Sequence, residues 1–457
     1  MKKYQCINRR DFLKFTGITA ASATAAWVGC SPRNDSSSAL GAVPTDSMTY
    51  RSFPALGDKV SLLGYGCMRW PTMPNPEGRG EIINQEAVNE LVDYAIAHGV
   101  NYFDTAPVYV MGQSERATGI ALKRHPREKF FIATKMSNHT NPDYNDGVAM
   151  YRNSFEQLQV DYFDYYLLHS IGNPGVRGFE SRYLNSGLLD FILKEREEGR
   201  IRHLGWSFHG ITEEFDRILA FHEQVHWDFV QIQMNYSDWN NAALGRNVNA
   251  DYLYDELSKR NIPIVIMEPL LGGRLSNLPL HIVARLKEQN PDSSAASWAF
   301  RFAASFDNVL TVLSGMTYME HLQDNIRTYS PLLPLNEEQK GFLYETAELM
   351  LQYPTIPCND CMYCMPCPYG IDIPGILLHY NKCVNDGNLP KNAADENYRQ
   401  TRRAYLISYD RTVEKIRQAD HCTGCKQCND DCPQRINIPV ELRKLNSYVE
   451  QLKQETL

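Results

Sequence analysis

From about Tyr50 to Tyr329 the chain alternates short apolar, β-rich runs with helical patterns, and this alternation restricts the fold more than any other feature. A helical pattern over Glu86–His98 leads into Asn101-Tyr102-Phe103-Asp104. A second, Ser114–Lys123, leads into Phe130–Lys135, and a third, Val148–Leu158, into Tyr165–His169. Further strand-like runs follow at Ile201–Ser207, Val230–Met234, Ile264–Met267 and Leu310–Ser314. Repeated helix–strand alternation over this length predicts parallel βα units closed into an α/β TIM barrel. A doubly wound sheet is the alternative, but no Gly-rich phosphate fingerprint opens the first unit.

Three successive runs end on an ionisable residue: Asp104, Lys135 and His169. Tyr109 follows five residues after Asp104. In a barrel the C-terminal ends of all strands face one common site, so these four side chains are expected to converge there. A single buried charge at a strand end could be structural; three in a row are harder to explain that way. The set suits carbonyl reduction, in which a developing alkoxide needs a proton donor. A lysine ammonium beside a tyrosine favours tyrosinate and is expected to lower its pKa. Asp104 would keep Lys135 charged and placed, and His169 can donate a hydrogen bond to the carbonyl oxygen.

The residues that carry this chemistry resemble the aldo/keto reductase superfamily over about residues 50–330. The similarity includes Gly64-Tyr65-Gly66-Cys67-Met68-Arg69, Asn101 through Tyr109, Thr134-Lys135, Leu167-Leu168-His169-Ser170 and Gly205-Trp206-Ser207. It ends with Gly315-Met316 and His321-Leu322-Gln323-Asp324-Asn325. The resemblance implies that Tyr109 is the acid–base residue, that Lys135 and Asp104 tune it, and that His169 orients the carbonyl. It also implies that Ser207 and Gln231 hold a nicotinamide carboxamide, and that Ser314, Gly315, Asp324 and Asn325 bind the adenosine end of NAD(P). Phe208 stands where many members have Asn, and Met267 where an aromatic ring often stacks. Gly315 and His321 lie about where a cation often grips a 2′-phosphate, so a preference for NADP is not implied.

Eight of the twelve cysteines fall into two tight runs near the C-terminus. The first is Cys358-x2-Cys361-x2-Cys364-x2-Cys367-Pro368. The second is Cys422-x2-Cys425-x2-Cys428-x3-Cys432-Pro433. The second has the spacing of bacterial ferredoxins, in which the fourth cysteine serves the other cluster. Two 4Fe–4S clusters with crossed ligands are therefore expected: Cys358, Cys361, Cys364 and Cys432 on one, and Cys422, Cys425, Cys428 and Cys367 on the other. Zinc is the competing reading, since paired Cys-x2-Cys knuckles bind it. Disulfides between cysteines three apart would have poor geometry. Cys383 belongs to no motif.

The N-terminus reads Asn8-Arg9-Arg10-Asp11-Phe12-Leu13-Lys14, followed by a weakly apolar stretch from Phe15 to Val28 that is too short to span a bilayer. It resembles a twin-arginine (Tat) export signal. That route carries proteins already folded and loaded, which suits clusters inserted in the reducing cytoplasm. Gly29-Cys30 resembles a lipobox, and lipidation of Cys30 would anchor the chain to a membrane; simple cleavage is the alternative. The net charge is -8 and no basic stripe stands out, so nucleic acid is not an expected partner.

The expected organisation is a signal at 1–30, a flexible tether at 31–49, a barrel at 50–330, a linking helix at 331–352 and a small, mostly helical ferredoxin-like domain at 353–457. The expected function is an exported, periplasmic or envelope oxidoreductase acting on a small carbonyl or alcohol and passing electrons to an envelope redox partner. Clusters move single electrons whereas hydride carries two, and free nicotinamide is scarce outside the cytoplasm. Any dinucleotide would therefore be tightly held. The other reading is an electron carrier or binding protein with a catalytically altered barrel.

Overall fold

Eight short strands carry the apolar runs: β1 (Leu63–Gly66), β2 (Tyr102–Asp104), β3 (Phe131–Met136), β4 (Phe163–Ile171), β5 (Ile201–Phe208), β6 (Phe229–Gln233), β7 (Ile264–Met267) and β8 (Val309–Ser314). In this computed structural model, which describes residues 42–457 except 79, 140–141, 173–177 and 243–246, each strand pairs in parallel with the next and β8 returns to β1. The barrel is thus closed in chain order. Its strands are buried on both faces, which is why they read as continuous apolar runs rather than alternating ones. Helices between the strands start on side-chain caps where the sequence supplies them. Asn84 accepts from Ala87 N–H, Asp143 from Asn145 and Asp146, and Ser294 from Ser297.

A hairpin of Tyr50–Ser52 with Lys59–Ser61 closes the N-terminal end of the barrel. Leu56 and Val60 pack beneath Tyr102, Tyr165 and Phe229. Arg51 donates to the carbonyls of Asp307 and Val309 at 2.9 and 3.0 Å, and Ser61 N–H donates to Asn101 Oδ1 at 2.7 Å. Residues before the expected boundary at 50 already pack on the barrel. Met48 is buried, and Thr49 N–H donates to the Tyr329 carbonyl at 2.9 Å, so the last residues assigned to a tether belong to the barrel. The expected signal at 1–30, with Cys30, and most of the expected tether lie outside the described residues.

After the barrel, the helix Glu337–Leu351 starts on a reciprocal cap between Asn336 and Gln339 and lays Leu343 and Ala347 against Leu275 and Trp298. Residues 353–457 then form helices Ile373–Asn385, Tyr398–Thr412 and Ile438–Gln454 around their own apolar core, which includes Ile376, Tyr405, Tyr409 and Leu442. No strand occurs among the described residues of this region. The two cysteine runs end alike. Cys367-Pro368 and Cys432-Pro433 each lead through a left-handed residue, Gly370 or Arg435, into Ile-x-Ile-Pro and a helix with proline in its first turn.

This region shares one compact unit, Val43–Leu457, with the barrel, and it docks at the end where the strand C-termini emerge. Arg69 pairs with Asp360 at 2.8 Å and donates to the Asn359 carbonyl at 2.8 Å. Gln434 donates to Gln233 Oε1 at 3.0 Å. Gly272, at φ +64°, lies so close to Asn359 that any Cβ would fall 2.0 Å from its carbonyl oxygen, so only glycine permits this docking.

Candidate active site

Asp104, Lys135 and His169 lie at or near the C-terminal ends of β2, β3 and β4, and register brings them side by side. Asp104 pairs with Ala133 and Lys135 with Leu167. The Lys135 ammonium donates to Asp104 Oδ1 at 2.5 Å and to the Thr105 carbonyl at 2.7 Å, and it lies 4.9 Å from the centre of the Tyr109 ring. His169 sits edge-on to Tyr109, with 5.8 Å between ring centres, and its Nδ1 is held by Ser137 Oγ at 2.6 Å. The expected four residues therefore do meet. The segment after Tyr109 is strained: Val110 and Met111, both with side chains, take φ of 49° and 53°. For a β-branched residue this is a costly conformation of the kind found where surrounding structure imposes it.

Burial dominates the electrostatics. It pulls the His169 imidazole well below its ordinary range, and the nearby His139 and Lys135 add to this, so the ring is neutral and can donate one hydrogen bond. Burial pushes Asp104 up and Lys135 down, with their mutual attraction opposing both shifts. Tyr109 departs from the expectation. Burial, the Tyr363 hydroxyl and Asp104 push it well above 10. The reason is local: Lys135 is engaged by Asp104 and the Thr105 carbonyl, so its charge is largely compensated before it reaches the phenol.

The four residues open into a cavity of about 490 Å³ that also reaches Ser207, Gln231, Met267, Ser314, Gly315, His321, Asp324 and Asn325. All the residues expected to hold a dinucleotide thus line the same space as the acid–base group. Gln231 Oε1 is buried and has no hydrogen-bond partner, as a residue awaiting a carboxamide N–H would be. Ser314 Oγ accepts from Asn325, and Asp324 accepts from Ser294 Oγ. Arg69 runs against Gly315, where a Cβ would come within 2.6 Å of the arginine side chain.

Three residues at the site are assigned no role by the sequence. Glu268, directly after β7, lines this cavity, and its burial raises its carboxyl to about 7. Arg69 ties the cavity rim to the first cysteine run. Tyr363, inside Cys361-Met362-Tyr363-Cys364, reaches into the barrel. Its hydroxyl lies 3.3 Å from His169 Nε2 and stands close enough to Tyr109 to raise the Tyr109 pKa.

The cysteines group across the runs. Cys358, Cys361, Cys364 and Cys432 line one small cavity walled by Ile373, Leu377, Ile436 and Ile438. Cys428 neighbours Cys425, Cys422 and Cys367. None of the ten described cysteines is in a disulfide. Among the described residues, no three His, Cys, Asp or Glu side chains converge closely enough to hold a single metal ion. Asp360 and Met362 in the first run, and Gly424 and Lys426 in the second, have left-handed backbone. Turns of this kind direct successive N–H groups into a concavity suited to an anionic centre.

Two other imidazoles, the partly buried His209 and the buried His379, set an acid limit on stability. Burial pulls His209, at the barrel mouth, and His379, in the C-terminal core, down to about 4. Their unfolded value is about 6.5, so between these values the unfolded chain binds more protons than the native one. Their contribution to stability is intact above about pH 6.5 and is lost as pH falls toward about 4. Melting curves over this window should show a falling Tm, and a His209→Asn, His379→Asn variant should show a shallower decline. The same slope in the variant and the parent would contradict the assignment.

A closed parallel βα barrel with this tetrad at its C-terminal mouth defines an oxidoreductase. The chain belongs to the aldo/keto reductase family, which it matches over residues 62–341. It is 29% identical to an aldo-keto reductase of Mycolicibacterium smegmatis over 266 residues, 57% of this chain and 82% of that protein. It is 29% identical to the probable aldo-keto reductase 1 of Glycine max over 191 residues, 40% of this chain but only half of the soybean protein. Among solved structures, aldo-keto reductase AKR11C1 of Bacillus halodurans is similar in fold, with a TM-score of 0.52 and 21% identity over 65% of this chain and 96% of that one. An aldo-keto reductase of Klebsiella pneumoniae in complex with NADPH aligns with a TM-score of 0.50 and 18% identity, covering 67% and 95%. The family match ends before the first cysteine run.

Proposed function

We propose that this protein is an exported iron–sulfur oxidoreductase that interconverts a carbonyl and an alcohol at Tyr109 and exchanges electrons through two 4Fe–4S clusters. The observation that carries the barrel half of this reading is one continuous cavity from Tyr109, Lys135, Asp104 and His169 to Gln231, Ser314 and Asn325. NAD(P), when bound there, supplies or accepts hydride at the carbonyl carbon. Gln231 offers its unpartnered oxygen to the carboxamide, and Ser207 lies beside it across β5 and β6. Tyr109 gives a proton to the oxygen as the alkoxide develops, and neutral His169 donates a hydrogen bond to the same atom. Lys135, anchored by Asp104, stands 4.9 Å from the centre of the phenol ring and helps to place it. The direct test is oxidation of NADH or NADPH by the purified protein with an aldehyde. Dependence of that rate on Tyr109 supports the reading.

The cluster half is supported by the crossed grouping of the thiols. Cys358, Cys361, Cys364 and Cys432, drawn from both runs, line one common cavity, as the four ligands of one cubane would. The clusters, when present, supply single-electron transfer. Cys364 also neighbours Cys428 of the second group, so the two groups adjoin.

Export is proposed from the Arg9-Arg10 motif and the stretch that follows it. The pair Arg9→Lys, Arg10→Lys should leave the precursor in the cytoplasm, as fractionation would show; normal delivery of the variant to the envelope would remove the assignment. Labelling with a fatty-acid probe decides between lipidation of Cys30 and simple cleavage.

A further inference from the structure

We propose that Tyr363 selects the substrate: its phenol holds the position of the reacting oxygen, and a carbonyl compound reaches Tyr109 only by displacing it from a second chamber roofed by the cysteine runs. This inference rests on the carbonyl-reducing reading of the barrel. A reacting oxygen must sit within hydrogen-bond reach of both Tyr109 and His169; the Tyr363 hydroxyl lies 3.3 Å from His169 Nε2 and lines the same space as Tyr109. Tyr363 lines the dinucleotide-side cavity and also a separate chamber of about 760 Å³. Met68, Trp70 and Met111 of the barrel and Met362 and Met365 of the first cysteine run supply that chamber's apolar surface. Cys361 also borders both spaces, so the tyrosine that stands before Tyr109 and His169 is carried on the cysteine-run loop itself.

The side chain also indicates what fits. An aromatic ring bearing oxygen already occupies the site, its ring centre 6.3 Å from those of His139 and His169. An apolar, ring-bearing aldehyde or ketone can follow the same path with its ring among the methionines. Binding must first break the contacts of Tyr363, so the observed affinity is reduced by the small fraction of molecules in which it has moved aside. Removing the contacts removes that penalty.

The test is equilibrium binding of 4-nitrobenzaldehyde to the cluster-loaded full chain, without nicotinamide so that no turnover is needed. Tyr363→Phe keeps the ring and loses the hydroxyl, and should bind about 5-fold more tightly than the parent. Tyr363→Ala opens the site and should bind at least about 10-fold more tightly. Iron and labile sulfide should equal the parent's in both, and if the alanine variant loses them, the phenylalanine variant decides. Binding no tighter than the parent's in the iron-replete variants, including no binding by any of them, overturns the proposal. Failure of the carbonyl-reducing reading would show separately, as tighter binding by the Tyr363 variants with turnover that ignores Tyr109.

Discussion

Tyr109→Phe should lower carbonyl turnover by roughly 10²–10⁴-fold, the usual contribution of a general acid–base group. The substitution removes one oxygen from a side chain that is only 8% exposed and leaves its ring over Lys135 and beside His169, so folding and iron content should survive. The expected size follows from what else is in reach of the oxygen. His169 is neutral and can donate a hydrogen bond, but it is a poor proton source at neutral pH because burial holds its pKa low. Lys135 is bound to Asp104 and the Thr105 carbonyl and cannot reach the reacting oxygen in its place. Undiminished turnover in the variant would reject the mechanism and leave the cysteine region as the only active chemistry, which is the electron-carrier reading.

Replacing two cysteines at once should give a result that one replacement cannot. If ligation is crossed, Cys358 and Cys432 serve the same cluster, and Cys358→Ala with Cys432→Ala should cost about four irons and leave about four. If each run held its own cluster, the same pair would damage both and leave about none. The pairing of Cys432 with the first run, in one cavity walled by Ile373 and Ile436, is the basis for expecting the first outcome. Cys358→Ala with Cys367→Ala is the reciprocal control: the two residues share a run but not a proposed cluster, so that variant should lose nearly all its iron.

How much of this was legible in the sequence depends on which residues carried a local signal. Asp104, Lys135 and His169 were visible because each interrupts an apolar run at its end, where barrel topology gives position a meaning. The first barrel strand, Leu63–Gly66, was not expected as a strand. Gly64 and Gly66 dilute its β character, yet a Cβ on Gly64 would fall 2.8 Å from Leu313 and Thr311, so the close approach of β1 to β8 requires glycine. The depression of the Tyr109 pKa by Lys135 was a reasonable inference from adjacency, but burial outweighs a cation already paired. Tyr363 was hidden for another reason. It lies 194 residues from His169 and reads locally as a spacer between two cysteines, so only the docking of the C-terminal region brings it to the tetrad.

The docking covers the mouth of an aldo/keto reductase barrel with a region that we propose holds two iron–sulfur clusters. The most direct measurement is anaerobic analysis of iron, acid-labile sulfide and zinc in protein purified from cells that make clusters. About eight irons and about eight sulfides per chain are expected, with no stoichiometric zinc. Stoichiometric zinc without labile sulfide would contradict the proposal of two clusters.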